Sequence, residues 1–318
     1  MRADDLLERL HVVALPMRVR FRGITVREVA LIDGPSGWGE FGAFLEYPPA
    51  QAAPWLAAAI ESAYGTKPSL RRDSIRINAT VPAVPAGQVP EVLARFPGAT
   101  TAKVKVAESG QTLADDVARV NAVRALIPVV RVDANGAWSV EQAVAAAAAL
   151  CIDGPLEYLE QPCATVAELA QLRLRITVPV AADESIRKAA DPLAVVRAGA
   201  ADIAVLKVAP LGGVRALLDI AAAIDIPVVI SSALDSAVGI AAGLTAASAL
   251  PRLEYACGLG TGGLFIDDVA DLVPVDGCLP VGDVVPDPAR LTTLAAPAPR
   301  RDWWIDRIKA CQALLLHS

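Results

Sequence analysis

Histidine is nearly absent. The chain of 318 residues carries two, His11 and His317, one near each end. Its main body therefore has no Ser-His-Asp triad, no His-rich metal site and no histidine base. Any proton moved there is moved by lysine, carboxylate, tyrosine or cysteine. Aromatic residues are scarce at 4%, while 54% of the chain is hydrophobic. Alanine supplies much of that apolar content, which favours helices packed on strands over an aromatic-rich sandwich. The five cysteines (Cys151, Cys163, Cys257, Cys278, Cys311) form no CxxC pair. An odd, scattered set reads as reduced cytoplasmic thiols, not as a disulfide frame or zinc site. There is no basic block and the net charge is −6, which argues against nucleic acid or an anionic membrane as partner. The apolar runs Ala143–Cys151 and Gly239–Leu250 fall short of the ~20 residues needed to span a bilayer. The N-terminus, with Asp4, Asp5 and Glu8, lacks the apolar core of a signal peptide. Nothing in the sequence specifies an oligomeric state.

What is present is a repeat. From about Ile75 a short β-rich run, a turn and an amphipathic or Ala-rich helix recur. The strand candidates are Ile75–Val81, Ala102–Ala107, Val129–Ala134, Leu156–Gln161, Val178–Asp183, Ile203–Val208, Pro227–Ser232 and Leu253–Cys257. The helices between them run over Gln88–Phe96, Leu113–Ile127, Val140–Cys151, Val166–Ile176, Pro192–Ala198, Val214–Ile224 and Ala237–Ala249. Thr165 with Glu168 fits a capping box, and Ser139 a helix start. Eight strands alternating with helices imply parallel pairing, for which a closed barrel is the natural solution. The fold expected is α/β, a (β/α)7β TIM-like barrel over 75–281. An open doubly wound sheet is disfavoured because no glycine-rich phosphate fingerprint follows the first strand. The run Gly258–Gly263 follows the last strand and reads as a tight active-site loop. Residues 1–74 break the repeat, with antiparallel strand candidates Val12–Leu15, Val19–Phe21 and Val26–Ile32 and a helix over Ala50–Ala63. The proline-rich tail, 282–318, ends in a helical run. These two parts are expected to form an α+β cap.

Lys105, Asp133, Glu160, Asp183 and Lys207 stand one each at the ends of five successive strand candidates, roughly 25 residues apart, the length of one barrel unit. Lys103 and Lys105 are two apart, as are Arg131 and Asp133, so each pair faces the same way on its strand. A solvated edge is the commoner fate of Lys-x-Lys. Buried parallel strands seldom carry two inward lysines unless anions await them. Each acid alone reads equally well as a helix cap or a surface carboxylate. Together, three acids at adjacent strand ends repel one another without a cation, and an all-oxygen set selects Mg2+ over zinc. Lys207 lies across the ring from Lys105. Two amines near a divalent cation should each lose a proton more easily, since like charge disfavours protonation.

These residues resemble the enolase superfamily. Its marks are a Lys-x-Lys on the second strand, Asp, Glu and Asp ligands on the next three, and a lysine on the sixth. Here they stand as Lys103-Val104-Lys105, Asp133, Glu160, Asp183 and Lys207. The similarity covers nearly the whole chain. Segments such as Asn78–Ala83, Arg131–Trp138, Ser231–Ser236 and Cys257–Thr261 are similar to the dehydratase branch of menaquinone biosynthesis in its actinobacterial form. A lysine or histidine base with Mg2+ stabilising an ene-diolate is that superfamily's chemistry. The resemblance implies a lyase acting on a small carboxylate, a cyclohexadiene bearing a succinyl chain and a hydroxyl. It implies Lys105 as base and then acid, and Lys207 as stabiliser of the planar anion. Lys103 and Arg131 would add positive charge near the carboxylate. Ser231, Ser232 and the backbone at Gly258 either receive the succinyl chain or merely cap loops. The alternatives are an N-acylamino-acid racemase with the same two lysines, and a non-catalytic binding barrel. The turn between Leu15 and Val26 is too short for a long covering loop. The aromatic segment Phe41–Tyr47 is therefore expected to do more of the covering. Trp38, Phe41, Phe44 and Tyr47 either cover the ring or pack the cap on the barrel.

Overall fold

The computed structural model describes residues 3–21, 23–188 and 191–316, so His317 lies outside the described residues. Three antiparallel strands come first: β1 (Leu10–Phe21), β2 (Ile24–Gly34) and β3 (Gly37–Phe41), in that order. The β1–β2 register runs from Leu10 opposite Ile32 to Phe21 opposite Ile24, with an irregularity between Pro16 and Phe21. One face of this sheet packs on the helix Pro49–Tyr64. Helix and sheet approach closely because β3 carries glycine: a Cβ on Gly39 would lie 2.0 Å from the Ala59 carbonyl oxygen. The C-terminal helix, Ala298–Leu315, packs on the same helix. Trp304 meets Phe41 edge-on at 5.4 Å, and Arg300 and Trp304 Nε1 bind Glu28 of β2.

The second sheet is parallel. The predicted strand Ile75–Val81 divides in two. β4 (Ser74–Arg76) pairs antiparallel with β12 (Cys278–Pro280), outside the barrel sheet. β5 (Ala79–Val81) opens the barrel sheet and is followed in register order by β6 (Thr101–Lys105), β7 (Val129–Asp133), β8 (Leu159–Glu160), β9 (Val180–Ala182), β10 (Ile203–Leu206) and β11 (Val228–Ile230). The expected eighth strand, Leu253–Cys257, does not form. Only Cys257 and Gly258 pair, bridging to Ile77 and Ser231 respectively. Four backbone hydrogen bonds of 2.8–2.9 Å hold these two residues between the first and last strands. The curled sheet thus closes through two residues, which leaves Gly258 facing the end of β11.

The helices follow from their caps. Thr112 with Asp115, Ser139 with Gln142 and Thr165 with Glu168 each form a reciprocal capping box, satisfying two otherwise orphaned N–H groups. Predicted helices over Gln88–Phe96 and Pro192–Ala198 shorten to Val89–Leu93 and Ala194–Arg197. Among the described residues no helix is long and apolar enough to cross a membrane.

Candidate active site

Parallel register lines up the strand ends. Lys105 stands opposite Asp133, and Asp133 opposite Glu160. Asp183 and Lys207 each follow the last residue of their strands, β9 and β10. The side chains meet inside the ring. Asp133, Glu160 and Asp183 are at most 1% exposed. Lys103 Nζ donates to Glu160 Oε1 at 2.6 Å and lies 3.4 Å from Asp133 Oδ2. Lys105 Nζ donates to Asp133 Oδ2 at 2.5 Å, and Lys207 Nζ to Asp183 Oδ2 at 2.6 Å. Three lysines thus meet three acids, with Asp133 facing both Lys103 and Lys105.

A second layer holds this cluster, and it was not legible in the sequence. Asn135 sits at φ +48, which brings its side chain back onto Lys105: Nζ donates to Asn135 Oδ1 at 2.6 Å. Asn135 Nδ2 donates to Glu184 Oε1 at 3.2 Å. Arg187 spans Asp183, Glu184 and the Tyr47 hydroxyl. Gln161 Oε1 accepts from the backbone N–H of Asp183 and Ser185, tying the end of β8 to that of β9. The only sequence signal for these residues was adjacency to the predicted acids.

Charge sorts the acids. Asp133 is held well below the usual carboxylate range, burial being outweighed by Lys105 and Lys103. Asp183 is held low in the same way, by Lys207 and Arg187 against burial. Glu160 goes the other way. Burial, with Asp133 and Asp183 acting against Lys103 and Lys207, pushes it up to about 7. Lys103 is held above the ordinary lysine range, since Glu160 and Asp133 outweigh its burial.

The donor set fits a hard divalent cation. All three acids offer oxygen only, and Glu160 Oε2 is buried without a hydrogen-bond partner. Each carboxylate is turned onto a lysine. As they stand, no three His, Cys, Asp or Glu groups among the described residues converge closely enough to hold an ion. A cation would therefore take the place of lysine contacts.

Lys103, Lys105, Lys207 and Asp133, with Ser231, Ser232 and Gly258, line a cavity of about 30 Å³. All seven were expected at the site. A Cβ on Gly258 would lie 2.4 Å from Ser231 Oγ, so glycine keeps this wall open. Ser232 Oγ bonds Thr261 Oγ1 at 2.7 Å. Phe21, Thr80, Asn135 and Thr261 also line the cavity and were missed. Phe21 ends β1 at the hairpin tip, with its ring centroid 5.3 Å from Lys105 Nζ. Larger cavities, of about 260 to 480 Å³, lie elsewhere and contain none of the lysine–acid cluster, so size is no guide to the chemistry.

Two expectations are corrected. Arg131 does not reach the cavity. It stands opposite Lys103 in register, but its guanidinium is held by Glu157, Asn78 and the Ala256 carbonyl. There it is fully buried against Tyr158. Nor do Trp38, Phe41, Phe44 and Tyr47 line the cavity. Phe41, Phe44 and Tyr47 pack with Trp55 and Trp304 in the core between the first sheet and its helices, where an apolar ring buries more surface. Among the described residues before 75, Phe21 is the one that lines the cavity.

Comparison with known proteins bears on the family and the fold. Residues 89–286 match the family described as enolase C-terminal domain-like, and residues 12–63 the family described as enolase N-terminal domain-like. The chain is 78% identical over 312 residues to an o-succinylbenzoate synthase of Mycobacterium marinum (strain ATCC BAA-535 / M), covering 98% of this chain and 95% of that one. It is 76% identical to the o-succinylbenzoate synthase of Mycolicibacterium smegmatis (strain ATCC 700084 / mc(2)155), covering 98% of each. Among solved structures, a muconate lactonizing enzyme from Pseudomonas fluorescens complexed with muconolactone superposes with a TM-score of 0.76 at 23% identity, covering 91% of this chain and 98% of that one. At that identity the likeness bears on the fold alone.

Proposed function

The chain belongs to the enolase superfamily and, within it, to the o-succinylbenzoate synthase family, and from that premise we propose that it dehydrates 2-succinyl-6-hydroxy-2,4-cyclohexadiene-1-carboxylate to 2-succinylbenzoate. This is a lyase step of menaquinone biosynthesis. The observation that carries it is 78% identity to an o-succinylbenzoate synthase over 98% of the chain. The lysine–acid cluster supports it. The same reading divides the chain into a barrel, 75–281, and a cap made of 1–74 and 282–318. It places the protein in the cytoplasm, which the five free cysteines support.

Asp133, Glu160 and Asp183 are the residues that would hold Mg2+. When bound, the cation supplies fixed positive charge where the substrate carboxylate gains electron density. Lys105, in its uncharged form, takes the proton from the carbon bearing the carboxylate. That C–H pair becomes the new ring double bond as the neighbouring C–O bond breaks. The protonated Lys105 returns its proton to the departing hydroxide, so one water leaves and the ring becomes aromatic. Asn135 holds the Lys105 amine from behind. Lys207 keeps a positive charge beside the planar anion, and Lys103 adds to it. Ser231, Ser232 and the backbone at Gly258 bind the succinyl chain.

A cavity of about 30 Å³ holds about one water, far below the ~300 Å³ at which small-molecule pockets begin. Substrate entry therefore requires the lysines to leave their acids and Phe21 to move aside.

The test is to add the cyclohexadiene substrate with Mg2+ and follow the absorbance change on aromatisation. A chiral assay of N-succinyl amino acids runs beside it. Dehydration is expected. Racemisation without dehydration would instead establish the racemase alternative, which uses the same two lysines.

A further inference from the structure

The segment Ser231–Ser236 joins β11 to the helix Ala237–Ala249, and its first four residues line the cavity. It contains Leu234 at φ +64, in the left-handed region that a residue with a bulky side chain seldom occupies. Such a conformation persists only where the surroundings enforce it. Part of the enforcement is local: Asp235 Oδ2 accepts from the Ala233 N–H at 3.1 Å. The rest comes from the first sheet. Arg27 of β2 is 2% exposed, and its Nε donates to the Leu234 carbonyl at 3.0 Å. Its Nη2 donates to the Gly42 carbonyl, and its guanidinium lies 4.8 Å from the Phe44 ring centroid. Glu40 of β3, also buried, accepts from the Ser236 N–H at 3.0 Å, the Gly239 N–H at 3.2 Å and the Ser236 hydroxyl. Gly42 makes room for both: a Cβ there would lie 2.8 Å from Arg27 Nη2 and 2.9 Å from Glu40 Oε1.

Arg27 and Glu40 do not line the cavity. They hold the main chain of the wall that does. A guanidinium anchored at three carbonyls, of Leu234, Glu28 and Gly42, and over a ring has little freedom, so the Leu234 carbonyl it fixes has little either. We propose that Arg27, seconded by Glu40, is a positioning residue that sets the Ser231–Leu234 wall in the geometry that binds the substrate's non-reacting chain. This rests on the functional reading above, which gives that wall to the succinyl chain. The wall contacts no reacting atom in that reading. Loosening it removes binding common to ground and transition states, which raises KM and spares kcat.

The experiment compares wild type, Arg27→Met and Arg27→Lys in steady-state dehydration, with titration calorimetry of 2-succinylbenzoate and a melting curve for each. Arg27→Met is expected to raise KM and the product Kd by about tenfold while kcat stays within about threefold. Arg27→Lys, which keeps one donor and the charge, should fall between. KM and product Kd within about twofold of wild type in a folded Arg27→Met overturn the proposal, as does a fall in kcat with KM unchanged. If Arg27→Met does not fold, the same two outcomes for Arg27→Lys decide it. Wild type without dehydration overturns the functional reading, and the inference falls with it. Wild type with normal dehydration and unaffected variants overturns the inference alone.

Discussion

Glu160→Gln separates what the site needs for stability from what it needs for chemistry. Glu160 is 1% exposed and shares its surroundings with Asp133 and Asp183. Its carboxyl stands at about 7 instead of the ordinary 4.5. At ~1.4 kcal/mol per pH unit, keeping it ionised at pH 8 costs the metal-free fold about 3 kcal/mol. The sign follows from proton binding. The folded state holds this proton more tightly than the unfolded chain, so stability gained from this group rises as pH falls from about 7 to 4.5. Glutamine mimics the protonated form at every pH. The opposing effect, a stranded Lys103, is small. The glutamine oxygen still accepts from it, and Asp133 Oδ2 remains 3.4 Å away. For 318 residues at ~2 cal/mol/K of unfolding entropy each, 3 kcal/mol becomes a rise in Tm of about 5 °C. Melting curves in EDTA should show that gain at pH 8 and little difference at pH 5. Added Mg2+ should raise the wild-type Tm and leave the variant nearly unmoved, while dehydration is lost. A variant that melts below wild type at pH 8 in EDTA would refute the reasoning, because pairing with Lys103 would then outweigh burial and repulsion among the acids.

Three further outcomes are expected. Lys105→Ala and Lys207→Ala should each lower kcat at least about 100-fold at saturating Mg2+, by the aromatisation assay, with far-ultraviolet dichroism unchanged; near-wild-type turnover would remove that lysine from the mechanism. Gly39→Ala drives a methyl group to 2.0 Å from the Ala59 carbonyl oxygen, so scanning calorimetry should find a loss of at least ~2 kcal/mol. Glu28 is held below the usual carboxylate range: burial opposes this, but Arg300 and Trp304 prevail. Its stabilisation is present above the ordinary carboxylate pKa and lost as pH falls through the lowered one. Glu28→Gln should therefore lower the Tm at pH 7 and approach wild type in acid, as pH-dependent melting would record.

Legibility followed periodicity. A strand buried on both faces and a helix with one apolar stripe leave patterns that a single sequence carries, so the alternating repeat and most helix limits could be read from it. The last strand could not. Leu253–Cys257 has the composition of a strand, but closure of a curled sheet needs only the two residues that reach both neighbours. Phe21 and Asn135 escaped for another reason. One is brought to the site by a hairpin register, the other by a left-handed φ, and neither leaves a spacing signal. Arg131 misled because the period of two gives the face of a strand and not the partners, here Glu157 and the Ala256 carbonyl, that hold a long side chain elsewhere.

By itself the sequence determined which groups are available: no central histidine, three acids and three lysines at strand ends, and a glycine where the barrel closes. Strand phase, a local property, was enough to turn them inward. Only the tertiary structure decided how they pair, with Lys103 shared between Glu160 and Asp133. It also decided that burial and two neighbouring acids act together on Glu160, and that Arg27 and Glu40 hold the main chain of the Ser231–Ser236 segment. Pairing, burial and repulsion depend on distances between residues far apart in the chain, and those distances exist only once the sheet has curled and the first sheet has docked on it.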